Sequence, residues 1–143
     1  MTKVIIHCSQ SDWGNAALIA KWHTKERGWV SIGYHYVILN GRLSKQLEHR
    51  KYDGHVETGR PLDDDNEFES LEMGAHTRGY NNSVGICLVG QSNSYTDKQL
   101  GALYELVSDL RRQYGDIEVC QHSDFEPKKP FCAGLSKEFI KEL

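Results

Sequence analysis

The sequence has no long apolar stretch and no excess of positive charge. Nowhere does the 143-residue chain approach the ~20 consecutive apolar residues that a membrane-spanning helix needs, so we expect no membrane insertion. Its 17 Lys and Arg are outnumbered by 20 Asp and Glu, which leaves a net charge of −3 and argues against nucleic acid as a partner. The first residues contain no secretory signal, so we expect the protein to be made in the cytoplasm.

Cysteine is also scarce. Four cysteines spread over the chain are too few for the disulfide framework of a small secreted protein, so we expect reduced thiols. None of them forms a Cys-x-x-Cys pair, which is the usual arrangement in structural zinc sites. A structural zinc held by paired cysteines is therefore not expected.

The residues that are present suffice for a folded core. Hydrophobic residues make up 38% of the chain, and the length fits one domain, so we expect a single domain over residues 1–143 and a monomer. The element order βαββ…βαβα predicts an α/β fold with a mixed central sheet flanked by helices. We predict strands over residues 3–8, 32–39, 83–90 and 117–121, and helices over residues 15–27, after the Thr96-x-x-Gln99 capping box as far as Gly115, and over 136–143.

A polar segment lies between the second and third of these strands. Asn40-Gly41 is a strong turn signal, which predicts a hairpin with a return strand over residues 42–47. Residues 48–72 predict a second small hairpin and a surface loop with the acidic run Asp63-Asp64-Asp65. The sequence assigns no role to the insertion over residues 42–72.

Three potential metal ligands stand at predicted strand ends or in a loop. His7 ends an apolar run, His122 follows the last predicted strand, and Cys132 lies in a loop that contains two prolines. Two imidazoles and one thiolate suit a tetrahedral zinc and leave its fourth position to water, as in catalytic zinc sites. The pattern therefore favours metal-assisted hydrolysis.

Several segments together resemble a known family. They read IIHCS, GWVSIGYHYVI, ETGRPL, MGAHTRGYNNSVGICLVG and QHSDFEPKKPFCAG. In this order they resemble the zinc-dependent N-acetylmuramoyl-L-alanine amidases, which include short phage endolysins and are related to the peptidoglycan recognition proteins. The resemblance covers nearly the whole chain and implies an amidase-like fold of the peptidoglycan recognition type.

The resemblance implies roles for individual residues. It makes His7, His122 and Cys132 the ligands of one zinc ion per chain. Cys120 shares strand parity with His122 and is therefore a minor rival ligand. Tyr34 matches the catalytic tyrosine of the family. Because neighbouring strand residues point to opposite faces, Tyr34 in the cleft places His35 in the packing behind it.

The second catalytic residue of the family is a lysine shortly before the last ligand. In this chain Pro130 occupies the position two residues before Cys132, where the lysine commonly stands. We favour Lys129 for this role and keep Lys128 as its rival. Some branches of the superfamily also place a glutamate in the strand that carries Cys87 here, so any mechanism with a glutamate base at that position is weakened.

The implied substrate is bacterial peptidoglycan. The bond is the amide between N-acetylmuramic acid and L-alanine, and the short chain is most similar to phage endolysins, which lyse the host. His76 matches a residue of the substrate cleft, and we expect Tyr80 and Asn81 to shape the rim of that cleft and to contact substrate. An endolysin made in the host cytoplasm needs a separate membrane-permeabilising protein, a holin, to reach the wall.

Two alternatives remain open at this point. The same fold recognises peptidoglycan without cutting it when metal ligands are lost, so the chain is alternatively a non-catalytic binding module. It is alternatively an intracellular regulator that binds another protein, with the acidic residues 63–72 as the docking surface. No pair of carboxylates indicates a glycosidase.

Overall fold

The computed structural model describes residues 2–46, 48–63, 65, 67–69 and 72–143. In chain order, its regular elements are β1 Thr2–Cys8, α1 Ala16–Lys21, β2 Tyr36–Ile38, β3 Val56–Thr58, β4 Val84–Leu88, α2 Asp97–Tyr114, β5 Ile117–Gln121 and α3 Lys137–Glu142. The described strands form a five-stranded sheet in the order β3-β2-β4-β1-β5. All neighbours pair in parallel except β3, which runs antiparallel to β2, so the predicted mixed sheet is confirmed.

The two faces of the sheet carry separate apolar clusters. Ile6 of β1 lies in register with Ile86 of β4, and both pack under Leu103 of α2. The next residues along these strands, His7 and Cys87, are also in register and lie on the opposite face, where Cys87 packs with residues of α1. Alternation along β1 therefore directs Ile6 and His7 to different sides of the sheet.

Most predicted elements are confirmed, with shifted ends. The Thr96 capping box is present, because the Thr96 hydroxyl accepts the Gln99 N–H and the Gln99 side chain accepts the Thr96 N–H. β5 has the predicted bounds. The first helix begins at its Asn15 cap but continues after Lys21 as a π-helical turn, Trp22–Glu26.

The predicted return strand after Asn40-Gly41 is wrong. Leu47 lies outside the described residues, and the others of that segment contribute only an isolated bridge between Arg42 and Glu48. The antiparallel partner of β2 is β3, and its pairing extends to Leu39, whose carbonyl accepts the Gly54 N–H at 2.7 Å. The ladder between β2 and β3 therefore ends at Gly54 rather than at the Asn40-Gly41 turn.

The parallel strands bring chemically useful residues to one edge. The carboxyl ends of β1, β4 and β5 meet there, and ligand sites of parallel α/β sheets commonly lie beyond such ends. His7 is next to last in β1, and His122 directly follows β5. No helix among the described residues is both long and apolar enough to cross a membrane.

Candidate metal centre and its cavity

The three predicted metal ligands meet at this edge of the sheet. One ligand atom each from His7, His122 and Cys132 lies within 4.8 Å of the other two. The ring centroids of the two histidines are 4.4 Å apart. The first strand and a segment near the end of the chain thus converge on one point.

The donor atoms fit zinc. In a tetrahedral site with bonds of ~2.0–2.3 Å, neighbouring ligand atoms are roughly 3.3–3.8 Å apart, which is compatible with the 4.8 Å limit of this cluster. Burial lowers the pKa of His7 and of His122, so both rings stay neutral and available to a metal. Within the described part of the chain the cluster does not include Cys120.

Hydrogen bonds fix the loop that carries Cys132. The Cys132 carbonyl accepts the N–H of Ser123 at 2.6 Å, and its own N–H donates to the carbonyl of Lys129 at 3.2 Å. The backbone N–H of Cys8 donates to the Cys132 Sγ at 3.2 Å. A hydrogen bond with the Cys8 thiol, followed by burial, raises the pKa of Cys132 well above its ordinary value. The metal-free protein therefore holds a thiol at this position, and metal binding must displace its proton.

Two of the ligands, His122 and Cys132, border a cavity of about 230 Å³. Tyr34 forms part of its wall, with its ring centroid 5.2 Å from that of His7. Burial raises the pKa of Tyr34, so its hydroxyl stays protonated and can donate a hydrogen bond. Lys129 lines the same cavity, whereas Lys128 is exposed and its N–H bonds the Glu126 side chain. This geometry favours Lys129 of the two lysines.

His35 occupies the packing behind Tyr34. It is 1% exposed, its Nδ1 accepts the N–H of Gly85 at 2.9 Å, and its Nε2 bonds the carbonyl of Glu72. Both ring nitrogens are therefore used within the protein. This arrangement agrees with the opposite orientations expected for Tyr34 and His35.

The three predicted substrate contacts occupy different positions. His76 borders the cavity but is 8% exposed, and burial lowers its pKa to about 3. The Asn81 side chain accepts the N–H groups of His76 and Thr77, each at 2.9 Å, so it shapes the loop. Tyr80 is exposed and packs against Phe125, and among the described residues it lies outside the cavity wall. Substrate contact stays a prediction for all three.

His23 is a cavity residue that the sequence did not reveal. It sits in the π-helical turn, its Nδ1 accepts the N–H of Gly33 at 2.9 Å, and its ring lies 4.6 Å from that of Trp29. Burial lowers its pKa to about 4. The only available signal was its place beside Trp22 on the apolar side of the first helix.

A second group of potential ligands lies in the acidic segment. Oxygen atoms of Asp63, Glu69 and Glu72 also lie within 4.8 Å of one another. The Glu72 carboxylate accepts the N–H groups of Asp63 and Glu69, at 2.9 and 3.1 Å. Residues 64, 66, 70 and 71 of the proposed acidic docking surface lie outside the described residues.

Comparisons with known proteins agree with this site and fold. The family model described as N-acetylmuramoyl-L-alanine amidase matches residues 1–133. An endolysin of Klebsiella phage KP32 is 34% identical over 139 residues, which cover 89% of this chain and 78% of that endolysin.

Solved structures share the architecture. The amidase LysCS from Clostridium intestinale URNW, an endolysin, has a TM-score of 0.75 and 26% identity and covers 98% of this chain and 80% of its own. Bumblebee PGRP-SA has a TM-score of 0.71 and 25% identity, and the match covers 99% of this chain and 80% of that chain. The likeness thus extends over the whole sheet and its helices.

Proposed function

Since the chain belongs to the N-acetylmuramoyl-L-alanine amidase family, we infer that it hydrolyses the amide bond between N-acetylmuramic acid and L-alanine in bacterial peptidoglycan. Its similarity to phage endolysins makes it a lysis enzyme. The family is generally zinc-dependent, and this chain retains a compatible set of ligands.

We propose that His7, His122 and Cys132 hold one zinc ion per chain. The observation that carries this proposal is the convergence of their ligand atoms within 4.8 Å of one another, where His122 and Cys132 line a cavity. Zinc in such a site supplies Lewis acidity towards the amide carbonyl and lowers the pKa of a water molecule. A site that had lost one of these ligands would instead suit a binding module.

Tyr34 and Lys129 are the proposed catalytic residues. When water adds to an amide, negative charge develops on the carbonyl oxygen, and preorganised donors stabilise that charge in the transition state. The protonated Tyr34 hydroxyl and the Lys129 ammonium group both face the cavity that receives the amide. Lys129 adds positive charge beside His7 and His122, which also disfavours protonation of those rings.

Access to the wall remains a separate proposal. We expect the protein to stay in the cytoplasm when it is expressed alone and to require a membrane-permeabilising partner. Expression with and without a holin, followed by the turbidity of intact cells, tests this. Lysis without any such partner would contradict it.

Product analysis tests the reaction itself. Digested peptidoglycan should accumulate new α-amino groups on alanine without a matching increase in reducing sugar ends. The His122→Ala protein should release neither product while it still sediments with the wall. Reducing ends that rise in step with solubilisation would identify a glycosidase, and binding without any product would identify a recognition module.

A further inference from the structure

We infer that the backbone carbonyl of Ser83 sets the tautomer of His7 through His76, so that His76 is a positioning residue for the metal. This inference rests on the zinc site proposed above. It assigns a role to a histidine that neither holds the metal nor needs to touch the substrate.

The Ser83 carbonyl determines which nitrogen of His76 carries the proton. The Nε2 atom of His76 lies 3.1 Å from the Ser83 carbonyl oxygen. A carbonyl oxygen only accepts hydrogen bonds, so this nitrogen must carry the proton. In a neutral imidazole the other nitrogen, His76 Nδ1, is then an acceptor.

The second step reaches His7. Its Nε2 atom lies 2.9 Å from His76 Nδ1 and 3.1 Å from the Thr77 hydroxyl oxygen. An unprotonated Nε2 would place two nitrogen lone pairs against each other, so His7 Nε2 must be the donor. The Thr77 hydroxyl, 2.9 Å from His76 Nδ1, does not change this result, because it can accept from His7 while it donates to His76.

The chain of protons leaves one nitrogen of His7 for a metal. With its proton on Nε2, the ring has its free lone pair on Nδ1. Both rings are buried, which disfavours the charged forms that would break this order. Partners of this kind around a metal-binding histidine fix its tautomer and ring orientation and increase its affinity for the metal.

The fold around His76 is built to hold its ring in place. A Cβ at Gly85 would lie 2.5 Å from His76 Cδ2, and one at Gly74 would lie 2.3 Å from the same atom. Two glycines therefore provide the space that the ring fills. The Asn81 side chain anchors the backbone at the same residue, since it accepts the His76 N–H. These contacts explain why both positions are glycine without reference to substrate.

The tautomer can be measured without zinc or activity. Long-range proton–nitrogen correlation spectra of the metal-free protein should show His7 and His76 as neutral rings protonated on Nε2. Their assignment comes from His7→Gln and His76→Asn spectra. A His7 ring protonated on Nδ1 would overturn the inference, whatever the enzyme does.

Zinc affinity provides the second test, by competition with a chromophoric chelator. His76→Phe keeps a ring but removes the acceptor, and should weaken zinc binding by about 10–100-fold. His76→Asn places a carbonyl oxygen near the position of Nδ1, and should retain most of the affinity. Cobalt titrations followed by visible spectra should give the same order of metal affinity for the wild type, His76→Asn and His76→Phe. Equal affinity in all three would overturn the inference.

Paired glycine variants separate the ring position from general damage. Gly85→Ala should displace the His76 ring and weaken zinc binding, whereas Gly101→Ala, which meets no atom within 4 Å, should not. Unchanged affinity in folded Gly85→Ala would count against the inference. If wild-type protein binds no zinc, the proposed metal site fails, while the tautomer spectra still decide the role of His76.

Discussion

Each of two clusters in this protein brings three potential metal ligands within 4.8 Å of one another. The clusters differ in the other hydrogen bonds that their ligand atoms form. In the first cluster, His122 and Cys132 border a cavity, and the His7 ring is hydrogen-bonded to His76. In the second, the buried Glu72 carboxylate already accepts two backbone N–H groups from its own loop. Asp63 and Glu69 are exposed to water.

The difference shows that proximity alone does not make a metal site. Carboxylates that satisfy backbone donors stabilise a loop, and a cation would have to replace those hydrogen bonds. In the first cluster a metal would displace the proton of the Cys132 thiol, but the hydrogen bond between His7 and His76 could remain. The second cluster is therefore best described as a loop-stabilising arrangement centred on Glu72.

The largest expected effect tests the difference between the two clusters directly. His122→Ala should lose zinc and all measurable amidase activity, because two remaining ligands hold zinc poorly. Asp63→Asn in the acidic cluster should keep both. Zinc content after dialysis and release of α-amino groups from peptidoglycan provide the readouts. A similar loss of zinc in both variants would remove the distinction between the clusters.

Tyr34→Phe sharpens the comparison within the cavity. The variant keeps the ring and removes only the hydroxyl, so it should retain zinc and folding. Turnover should fall by about 10²–10³-fold if the hydroxyl stabilises the oxyanion. Steady-state kinetics on soluble muramyl peptides measure this effect. Wild-type turnover would show that Tyr34 serves only packing.

The two lysines provide a matched pair. Lys129→Met should lower turnover by about 10²-fold, because the lost charge lines the cavity. Lys128→Met should have little effect, because Lys128 is exposed. The same kinetic assay applies to both variants. The reverse order would place the catalytic lysine one residue earlier, and silence of both would remove lysine from the mechanism.

A smaller effect concerns stability at acid pH. His23 is 8% exposed and burial lowers its folded-state pKa to about 4, against ~6.5 in an unfolded chain. Between these two pKa values, His23 is protonated in the unfolded chain but neutral in the folded protein. The stability that is present above pH ~6.5 is therefore lost as the pH falls towards ~4. We expect His23 to contribute a loss of about 1–2 kcal/mol between pH 7 and pH 5.

Urea unfolding of chelator-treated protein at these two pH values measures this loss. His23→Asn keeps an acceptor for the Gly33 N–H but does not titrate in this range, so its stability should depend less on pH. An identical pH dependence in the variant would contradict the assignment to His23.

The smallest effect tests the acidic cluster from the other side. Glu72→Gln removes the charge that two backbone N–H groups share and should lower the free energy of unfolding by about 1 kcal/mol. Zinc content should not change. Urea unfolding with metal analysis of the same samples measures both. Loss of zinc without loss of stability would show that the acidic cluster bears on the metal site.

The fold and the ligands were accessible from sequence because they depend on local patterns. A few consecutive residues are enough to identify the apolar runs of β1 and β4 and the capping box at the start of α2. His7 and His122 were recognised because each follows or ends such a run. The resemblance to the amidases implied that both histidines bind the same metal ion.

Other features depend on contacts that no local pattern encodes. The pairing of β2 with β3, rather than with residues after Asn40-Gly41, is decided by the closure at Leu39 and Gly54. Strand alternation cannot show that the loop before α3 brings Cys132 to the Cys8 N–H, nor that Cys8 lines the cavity. The place of His23 in the cavity follows from a π-helical turn, which shifts the side-chain positions expected for a regular helix.

The arrangement of ligands along the chain has a consequence for folding entropy. His7 lies in the first strand and Cys132 near the far end of the chain. A zinc ion held by both closes a loop that includes nearly the entire sheet, and a cross-link over so long a loop removes much of the conformational freedom of the unfolded chain. A bound zinc would therefore stabilise the fold in addition to its role in catalysis. Its removal should lower the free energy of unfolding even in variants that lack the catalytic residues.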